Sequence, residues 1–192
     1  MGSRGGKVLP SIGFLTVVQH PQHGFFGGYL VLNADARPLE FHCTAPVKPN
    51  RAQEILYGPT LEPYLYGEQI GQTLIAKSQL LPLAVCTDLP AVLSVRQHLE
   101  LPVFLVLGDS STAEGAPAAG SVTMHRVDAA HGRVHTAPAF QLGRNSVTVA
   151  TGYEEDRRMA STDLAPLVQH FDLAEPFGRI RGAIDEAQRA GR

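Results

Sequence analysis

The residues best suited to nucleophilic chemistry follow the apolar segment 102–107. A Gly-Asp-Ser run ends there at Ser110, so a serine hydroxyl would stand just after a buried strand. A serine hydroxyl is a poor nucleophile unless a base within hydrogen-bonding reach activates it.

The segment from Val106 to Gly115 resembles the first block of the GDSL family of serine hydrolases, in which a strand ends in Gly-Asp-Ser. The run Gly-Arg-Asn145 is similar to the Gly-x-Asn block of that family, although the following Asp is absent. The family's late Asp-x-x-His block supplies the acid and the base, whereas Asp128-Ala-Ala-His131 precedes the Asn block here. The resemblance implies a small hydrolase with Ser110 as nucleophile, Asn145 as a donor to the oxyanion and His131 as the candidate base. We identify no family over the whole chain.

Cysteines and histidines are the candidates for thiol and metal chemistry. Cys43 shares a predicted strand face with apolar residues, which favours a buried and inert thiol. Cys86 ends an apolar strand and favours the same interpretation, but with Asp88 it also stands where ligands collect in α/β sheets. His20 and His23 share one turn and could hold a transition metal. No Cys-x-x-Cys is present, and we predict no bound metal and no cofactor.

Two further pairings involve predicted strands. Glu40 and His42 lie on one strand face and could form an acid–base pair or an exposed contact without consequence. His125 and His135 could face each other across a hairpin. Metal binding through surface histidines is therefore kept as an alternative function.

A proline-rich connector precedes the first predicted helix. It places Lys48 and Arg51 at the helix start, where a small anionic ligand could bind. Tyr57, Tyr64 and Tyr66 follow, and they are three of the 5 tyrosines in the chain. They could line a pocket or anchor an interface. The other interpretation is amphipathic cover over a sheet.

Length, composition and charge set the broad class. The chain has 192 residues, of which 44% are hydrophobic, and a formal net charge of -2. These values are typical of a globular protein, and the small net charge argues against an electrostatically driven binder of nucleic acid or membranes. No segment approaches the roughly 18 apolar residues of a membrane helix. The lack of an apolar N-terminal segment predicts a cytoplasmic location.

The pattern of apolar runs and turns predicts an α+β fold with a mixed, mostly antiparallel sheet covered by helices. An N-terminal three-stranded meander, a short βαβ unit and a C-terminal hairpin make up this sheet. Their predicted strands are 12–19, 25–33 and 39–44, then 82–86 and 102–107, and finally 121–127, 133–140 and 146–150.

Helix signals fall between and after these strands. Asn50 and Gln53 form a capping box for a helix over 51–57, and Thr60 could cap a second helix. A capping box at 172–175 precedes the final helix. Its apolar stripe, which must bury against something, consists of Leu173, Phe177, Ile180, Ile184 and Ala187. We predict a flexible tail over 1–11 and one globular domain over 12–192, with a long loop at 108–120.

No single strand, turn or spacing assembles a complete reactive cluster. The sequence therefore favours a non-catalytic, cytoplasmic protein-binding or assembly module. Its expected partner is another protein or a second copy of the chain, and neither nucleic acid nor membrane is expected. The serine hydrolase and the metal-binding protein are the two alternatives.

Overall fold

The computed structural model describes residues 10–108, 134–169 and 171–190. Within these ranges, seven strands form one mixed sheet in the order β3-β2-β1-β4-β5-β7-β6, which confirms the predicted α+β class. The strands are β1 (Ser11–His20), β2 (Gly24–Asn33), β3 (Pro38–Cys43), β4 (Ala84–Thr87), β5 (Val103–Leu107), β6 (Phe140–Leu142) and β7 (Asn145–Thr148).

The predicted N-terminal meander is present. β1 and β2 pair antiparallel over their whole length, from Ser11 opposite Asn33 to His20 opposite Gly24. Gly24 closes this turn with a φ of 95°, a conformation that side chains with a Cβ rarely adopt. β3 pairs antiparallel with the outer side of β2 and forms an edge of the sheet.

β1, β4 and β5 form the parallel centre of the sheet. A 3-10 helix, Pro90–His98, connects β4 to β5, so the predicted short crossover is confirmed. Its buried residues Val92, Leu93 and Val95 pack on one face of the sheet. β5 continues antiparallel to β7, and β7 pairs with β6.

Four further helices lie in the described ranges, and a 3-10 turn over Gly58–Thr60 joins the first two. They are α1 (Arg51–Tyr57), α2 (61–77, π-helical over Tyr64–Gln72), α3 (155–168, π-helical over Ala160–Leu164) and α4 (Glu175–Ala190). The predicted capping box of α1 forms, because the Asn50 side chain accepts from the backbone N–H of Gln53 at 2.8 Å. None of these helices combines the length and apolarity that crossing a membrane requires.

The helices cover both faces of the sheet. α3 and α4 cover the face that carries Phe14, Cys86 and Phe104. α2 and the 3-10 helix cover the other face, where Leu15 and Val85 are fully buried. Alternate residues of the central strands point to opposite faces, so these strands are apolar throughout.

The predicted apolar stripe of α4 is buried over its first four members, while Ala187 is exposed. The helix packs closely on β2 because Gly28 has no side chain. A Cβ at Gly28 would lie 2.2 Å from Cγ2 of Ile180 and 3.0 Å from Cδ1 of Ile184. This close approach fixes where the polar side of α4 meets the sheet.

Three local predictions differ from the structure. The strand predicted over 133–140 is reduced to a bridge at Thr136 and the short β6, because Pro138 cannot donate a backbone hydrogen bond. The observed hairpin is β6–β7, with Gly143 at a φ of 61° in its turn. Cys43 is exposed rather than buried, because α4 crosses β1 and β2 and leaves the edge strand β3 partly uncovered.

Some predicted segments fall outside the described residues. These are the strand at 121–127, almost all of the loop at 108–120, and the N-terminal tail up to residue 9. Ser11, the last residue assigned to that tail, is instead the first residue of β1.

Candidate functional site

The carboxyl ends of β1 and β4 lie side by side where the chain connections of the sheet diverge. The two strands are parallel neighbours, with Leu15 opposite Thr87 at the last paired position. β1 turns back into β2 on one side, whereas β4 leads through the 3-10 helix to β5 on the other side. Ligands of open sheets bind outside the carboxyl ends of strands where the connections diverge in this way. The topology therefore makes this edge the first place to look for a site.

Three polar side chains from three elements meet at this edge. The hydroxyl of Thr16, on β1, donates to Oδ1 of Asp88 at 2.7 Å. Asp88 is the first residue after β4, and its Oδ2 accepts from Nη2 of Arg181 on α4. Thr16 is fully buried, whereas the side chains of Asp88 and Arg181 are 20% and 45% exposed.

This geometry orients the guanidinium of Arg181 so that it can bind an anion that arrives from solvent. Both carboxylate oxygens of Asp88 are engaged, so the carboxylate serves to hold Arg181 in one orientation. A guanidinium has five N–H donors in a planar fork, and a half-exposed one keeps donors for a second partner. That fork matches the oxygens of phosphate and carboxylate groups. The edge is thus chemically suited to binding an oxyanion.

One imidazole, that of His20, lies farther along the same face of β1, and His23 follows in the turn after the strand. His20 lies four residues after Thr16 and therefore on the same face, at a separation of about 13 Å at the usual rise of a strand. The rings of His20 and His23 lie 4.5 Å apart, and Nδ1 of His20 accepts from the backbone N–H groups of Gln22 and His23. His23 is exposed and can meet a ligand.

The serine hydrolase residues do not form a site in the described part of the chain. Ser110 and His131 lie outside it. Asn145 is buried, and its amide donates to the carbonyls of Leu142 and Phe171 while its Oδ1 accepts from the backbone N–H of Leu173 at 2.9 Å. Asn145 therefore ties the β6–β7 hairpin to the segment before α4, and its donors are already used.

Lys48 and Arg51 bind separate partners. Nζ of Lys48 donates to the carbonyl of Gln22 at 2.5 Å, and Arg51 pairs with Glu54 within α1 at 3.0 Å. Neither interaction brings the two cations together around one ligand.

The three predicted tyrosines divide into two groups. The rings of Tyr57 and Tyr64 stack with centroids 4.1 Å apart, and their hydrogen bond raises the pKa of Tyr57. Tyr66 packs edge-on against Phe25, with ring centroids 5.5 Å apart. A binding role for Tyr57, Tyr64 and Tyr66 stays a prediction.

The described residues provide no set of ligands for the metal-binding alternative. In residues 10–108, 134–169 and 171–190, no three His, Cys, Asp or Glu side chains lie close enough together to hold an ion. His125 lies outside these ranges, and His135 is exposed beside a cavity. Burial raises the pKa of the Cys86 thiol to about 12, which makes that thiol inert at neutral pH.

Glu40 and His42 belong to a structural clamp. Nε2 of His42 lies 2.5 Å from one oxygen of Glu40, and the hydroxyl of Ser78 and the backbone N–H of Gln79 donate to the same carboxylate at 2.8 and 3.0 Å. Desolvation raises the pKa of Glu40, but these hydrogen bonds outweigh it and lower the pKa to about 2. A carboxylate held this way is a poor proton acceptor. It fastens the segment after α2 to β3.

We expect the unfolding free energy of Glu40→Gln to depend less on pH in the acid range than that of the wild type. The pKa of Glu40 in the folded state, about 2, lies below its ordinary value of 4.5, so its contribution is complete above pH 4.5 and is lost as pH falls towards 2. At pH 7 the variant should lose about 1–2 kcal/mol of unfolding free energy. Urea unfolding at a series of pH values measures this difference. Glu54→Gln, at an exposed helix carboxylate, is the control, and a wild-type advantage that stays constant from pH 7 to 2 would contradict the assignment.

No protein-family model and no curated protein matches the chain. Among solved structures, the chain is similar to the catalytic domain of human Endonuclease V, with a TM-score of 0.44 and 10% sequence identity. The match covers 95% of this chain and 85% of that domain. At this level of similarity the comparison transfers no activity and no residue roles.

Two predictions are nevertheless contradicted by this comparison, because the domain concerned is the catalytic part of a nuclease. One is the non-catalytic protein-binding or assembly module, and the other is the exclusion of nucleic acid in favour of a protein partner. The exclusion relied on the net charge of -2, which averages over the whole surface. The average does not reveal a single cation held at one place on the surface, such as Arg181 beside Asp88.

Sequence reasoning missed two of the three residues at the carboxyl edge. Thr16 and Asp88 are 72 residues apart in the chain, and Asp88 and Arg181 are 93 apart. Only Asp88 carries a local signal, since it directly follows an apolar strand. Thr16 lies within an apolar run, and Arg181 lies on the exposed side of an amphipathic helix.

Proposed function

We propose that this protein binds nucleic acid along the carboxyl edge of β1 and β4, with Arg181 contacting a backbone phosphate. The observation that carries this proposal is the chain of hydrogen bonds from Thr16 through Asp88 to Arg181. Thr16 fixes the carboxylate of Asp88, and Asp88 fixes the guanidinium. A charge-assisted bond from an oriented guanidinium to a phosphate is stronger than one from a freely moving side chain.

A polymer fits this edge better than an isolated phosphate. Arg181 reaches solvent at one point. His20, about 13 Å from Thr16 along β1, and the adjacent His23 provide imidazole rings. A single-stranded backbone can place one phosphate on the guanidinium and a nearby base against an imidazole ring, as aromatic side chains do in single-strand recognition. A free phosphate would use only the first contact.

Phosphate contact predicts a particular dependence on salt. Each phosphate that a cation neutralises releases condensed counterions, so the affinity falls as the salt concentration rises. With one well-placed arginine and a small negative net charge, the overall dependence should be shallow. The bases should contribute little sequence discrimination, because phosphate contacts position the strand and carry no sequence information.

Arg181→Ala is expected to weaken binding to a short, fluorescein-labelled single-stranded oligonucleotide about tenfold, equivalent to roughly 1.4 kcal/mol. Fluorescence anisotropy at low salt measures the dissociation constants. Arg189→Ala is the matched control, because Arg189 lies on the same helix, is 77% exposed and pairs only with Glu186 at 3.8 Å in the described part of the chain. Equal effects of the two substitutions, or no saturable binding by the wild type, would refute the proposal.

A further inference from the structure

A cavity with the dimensions of a small-molecule site lies away from the carboxyl edge. It is a cavity of about 500 Å³ between the 3-10 helix, the start of α2 and the segment that follows β7. Cavities of roughly 300–1,000 Å³ are typical of small-molecule sites. Thr16, Asp88 and Arg181 do not line it.

The described residues that line this cavity include no Asp, Glu, Lys or Arg. The apolar walls come from Pro63, Leu93, Val134 and Ala150. A charged ligand would lose its hydration here without gaining an ion partner, which is costly. The remaining lining residues supply hydroxyl, amide and imidazole groups and are Thr60, Ser94, Gln97, His135, Thr151 and Tyr153.

One wall of the cavity is the Tyr153 ring, and Arg96 and Asp156 hold this ring in place. Cζ of Arg96 lies 4.5 Å from the centroid of the Tyr153 ring. Nε and Nη2 of Arg96 donate to the two carboxylate oxygens of Asp156 at 2.7 and 3.0 Å, and Asp156 is only 2% exposed. The stacked guanidinium and the buried ion pair fix the orientation of the ring. A wall ordered in advance lowers the entropic cost of binding a flat ligand.

We propose that this cavity binds a small, uncharged heteroaromatic molecule. Its ring lies among the apolar walls and the Tyr153 side chain. Its polar edge faces Gln97 and His135, which are exposed at the opening. The site is independent of nucleic-acid binding, since it shares no residue with the carboxyl edge and uses no phosphate contact.

The test is titration of the wild-type protein with adenosine, caffeine and indole, followed by ligand-observed saturation-transfer NMR. At least one of these uncharged probes should bind saturably. Benzoate, an aromatic anion, should bind at least about tenfold more weakly, because the described lining residues include no Lys or Arg. Thr151→Phe should abolish binding, since Thr151 is exposed at the wall and a larger side chain there fills the cavity.

Two comparisons make the outcome decisive. Gln97→Ala should weaken binding severalfold, whereas Gln72→Ala, at an exposed glutamine of α2 outside the cavity, should leave it unchanged. Melting temperatures of all variants report whether they fold. The proposal is overturned if no probe binds saturably, if benzoate binds as well as the uncharged probes, or if binding persists in a folded Thr151→Phe variant. Arg181→Ala should not alter this binding, which separates the cavity from the nucleic-acid proposal.

Discussion

Asp156→Ala is expected to lower the free energy of unfolding by about 3–5 kcal/mol, because it leaves the charge of Arg96 without its partner in a nearly buried site. The side chains of Arg96 and Asp156 are 17% and 2% exposed. Two hydrogen bonds join them, and Nη1 of Arg96 also donates to the carbonyl of Leu99 at 2.5 Å. The hydrogen bond to Asp156 raises the pKa of Arg96 despite the opposing effect of burial. Because a guanidinium is not deprotonated in proteins, Arg96 stays charged when Asp156 is removed.

Urea unfolding at neutral pH measures this loss. Asp163→Ala is the control, since Asp163 is an exposed aspartate on the same helix and should change the unfolding free energy by less than about 0.5 kcal/mol. Replacing both partners together, as Arg96→Met with Asp156→Leu, should recover much of the stability, because no buried charge then remains. A loss below about 1 kcal/mol for Asp156→Ala would show that Arg96 finds water or another partner.

Gly28→Val is expected to lower the unfolding free energy by about 3 kcal/mol, at the upper end of typical overpacking costs. The first added atom would already lie 2.2 Å from Cγ2 of Ile180, inside any tolerable contact distance. Both residues are in regular elements packed in the core, so α4 must shift to admit the side chain. The same shift moves Arg181 away from Asp88. Oligonucleotide binding by any folded fraction should therefore weaken as well.

Thermal and urea unfolding measure the effect, and two variants test its cause. Adding Ile180→Ala to Gly28→Val makes room and should restore part of the loss. Gly178→Ala places a methyl group on α4 where nothing lies within 4 Å, so it should stabilise the protein by about 0.5–1 kcal/mol through helix propensity. Two results would contradict this cause. One is an unchanged unfolding free energy in Gly28→Val, and the other is a double variant whose loss equals the sum of the losses of Gly28→Val and Ile180→Ala. Either result would mean that the close contact between α4 and β2 does not control the packing.

The parts of the fold that the sequence predicts correctly depend on local signals. Apolar runs bounded by turn residues define β1 and β2, and alternating side chains define β3. The Asn50–Gln53 capping box forms as expected. The first four residues of the apolar stripe, Leu173 just before α4 and three residues within it, repeat at helical spacing and are buried as predicted. In each case the residues that decide the structure lie within a few positions of one another, so their pattern is visible along the chain.

The remaining features depend on residues that meet only after folding. Arg96 and Asp156 are 60 residues apart, and nothing near either of them indicates the other. The exposure of Cys43 follows from the position of β3 at the sheet edge, which no strand pattern reveals. The strand predicted over 133–140 could have been shortened in advance, because Pro138 is a local signal against pairing.

The carboxyl edge shows the same limit for function. Thr16 looks like a core residue of an apolar strand, and Arg181 looks like an ordinary surface residue of a helix. Their shared contact with Asp88 requires the parallel pairing of β1 with β4 and the placement of α4 over Gly28. The net charge could not reveal this site, because it does not say where on the surface each charge lies.

The most direct test of nucleic-acid binding at this edge is an NMR titration of ¹⁵N-labelled protein with a short single-stranded oligonucleotide at low salt. We predict that the backbone amides of 16–24, 87–89 and 180–182, together with Nε–H of Arg181, shift progressively and saturate together. The resonances of Arg189 and of the backbone amides around Tyr153 should not shift. Shifts confined to other surfaces, or an unchanged spectrum at saturating oligonucleotide, would contradict the assignment of this edge as the nucleic-acid site.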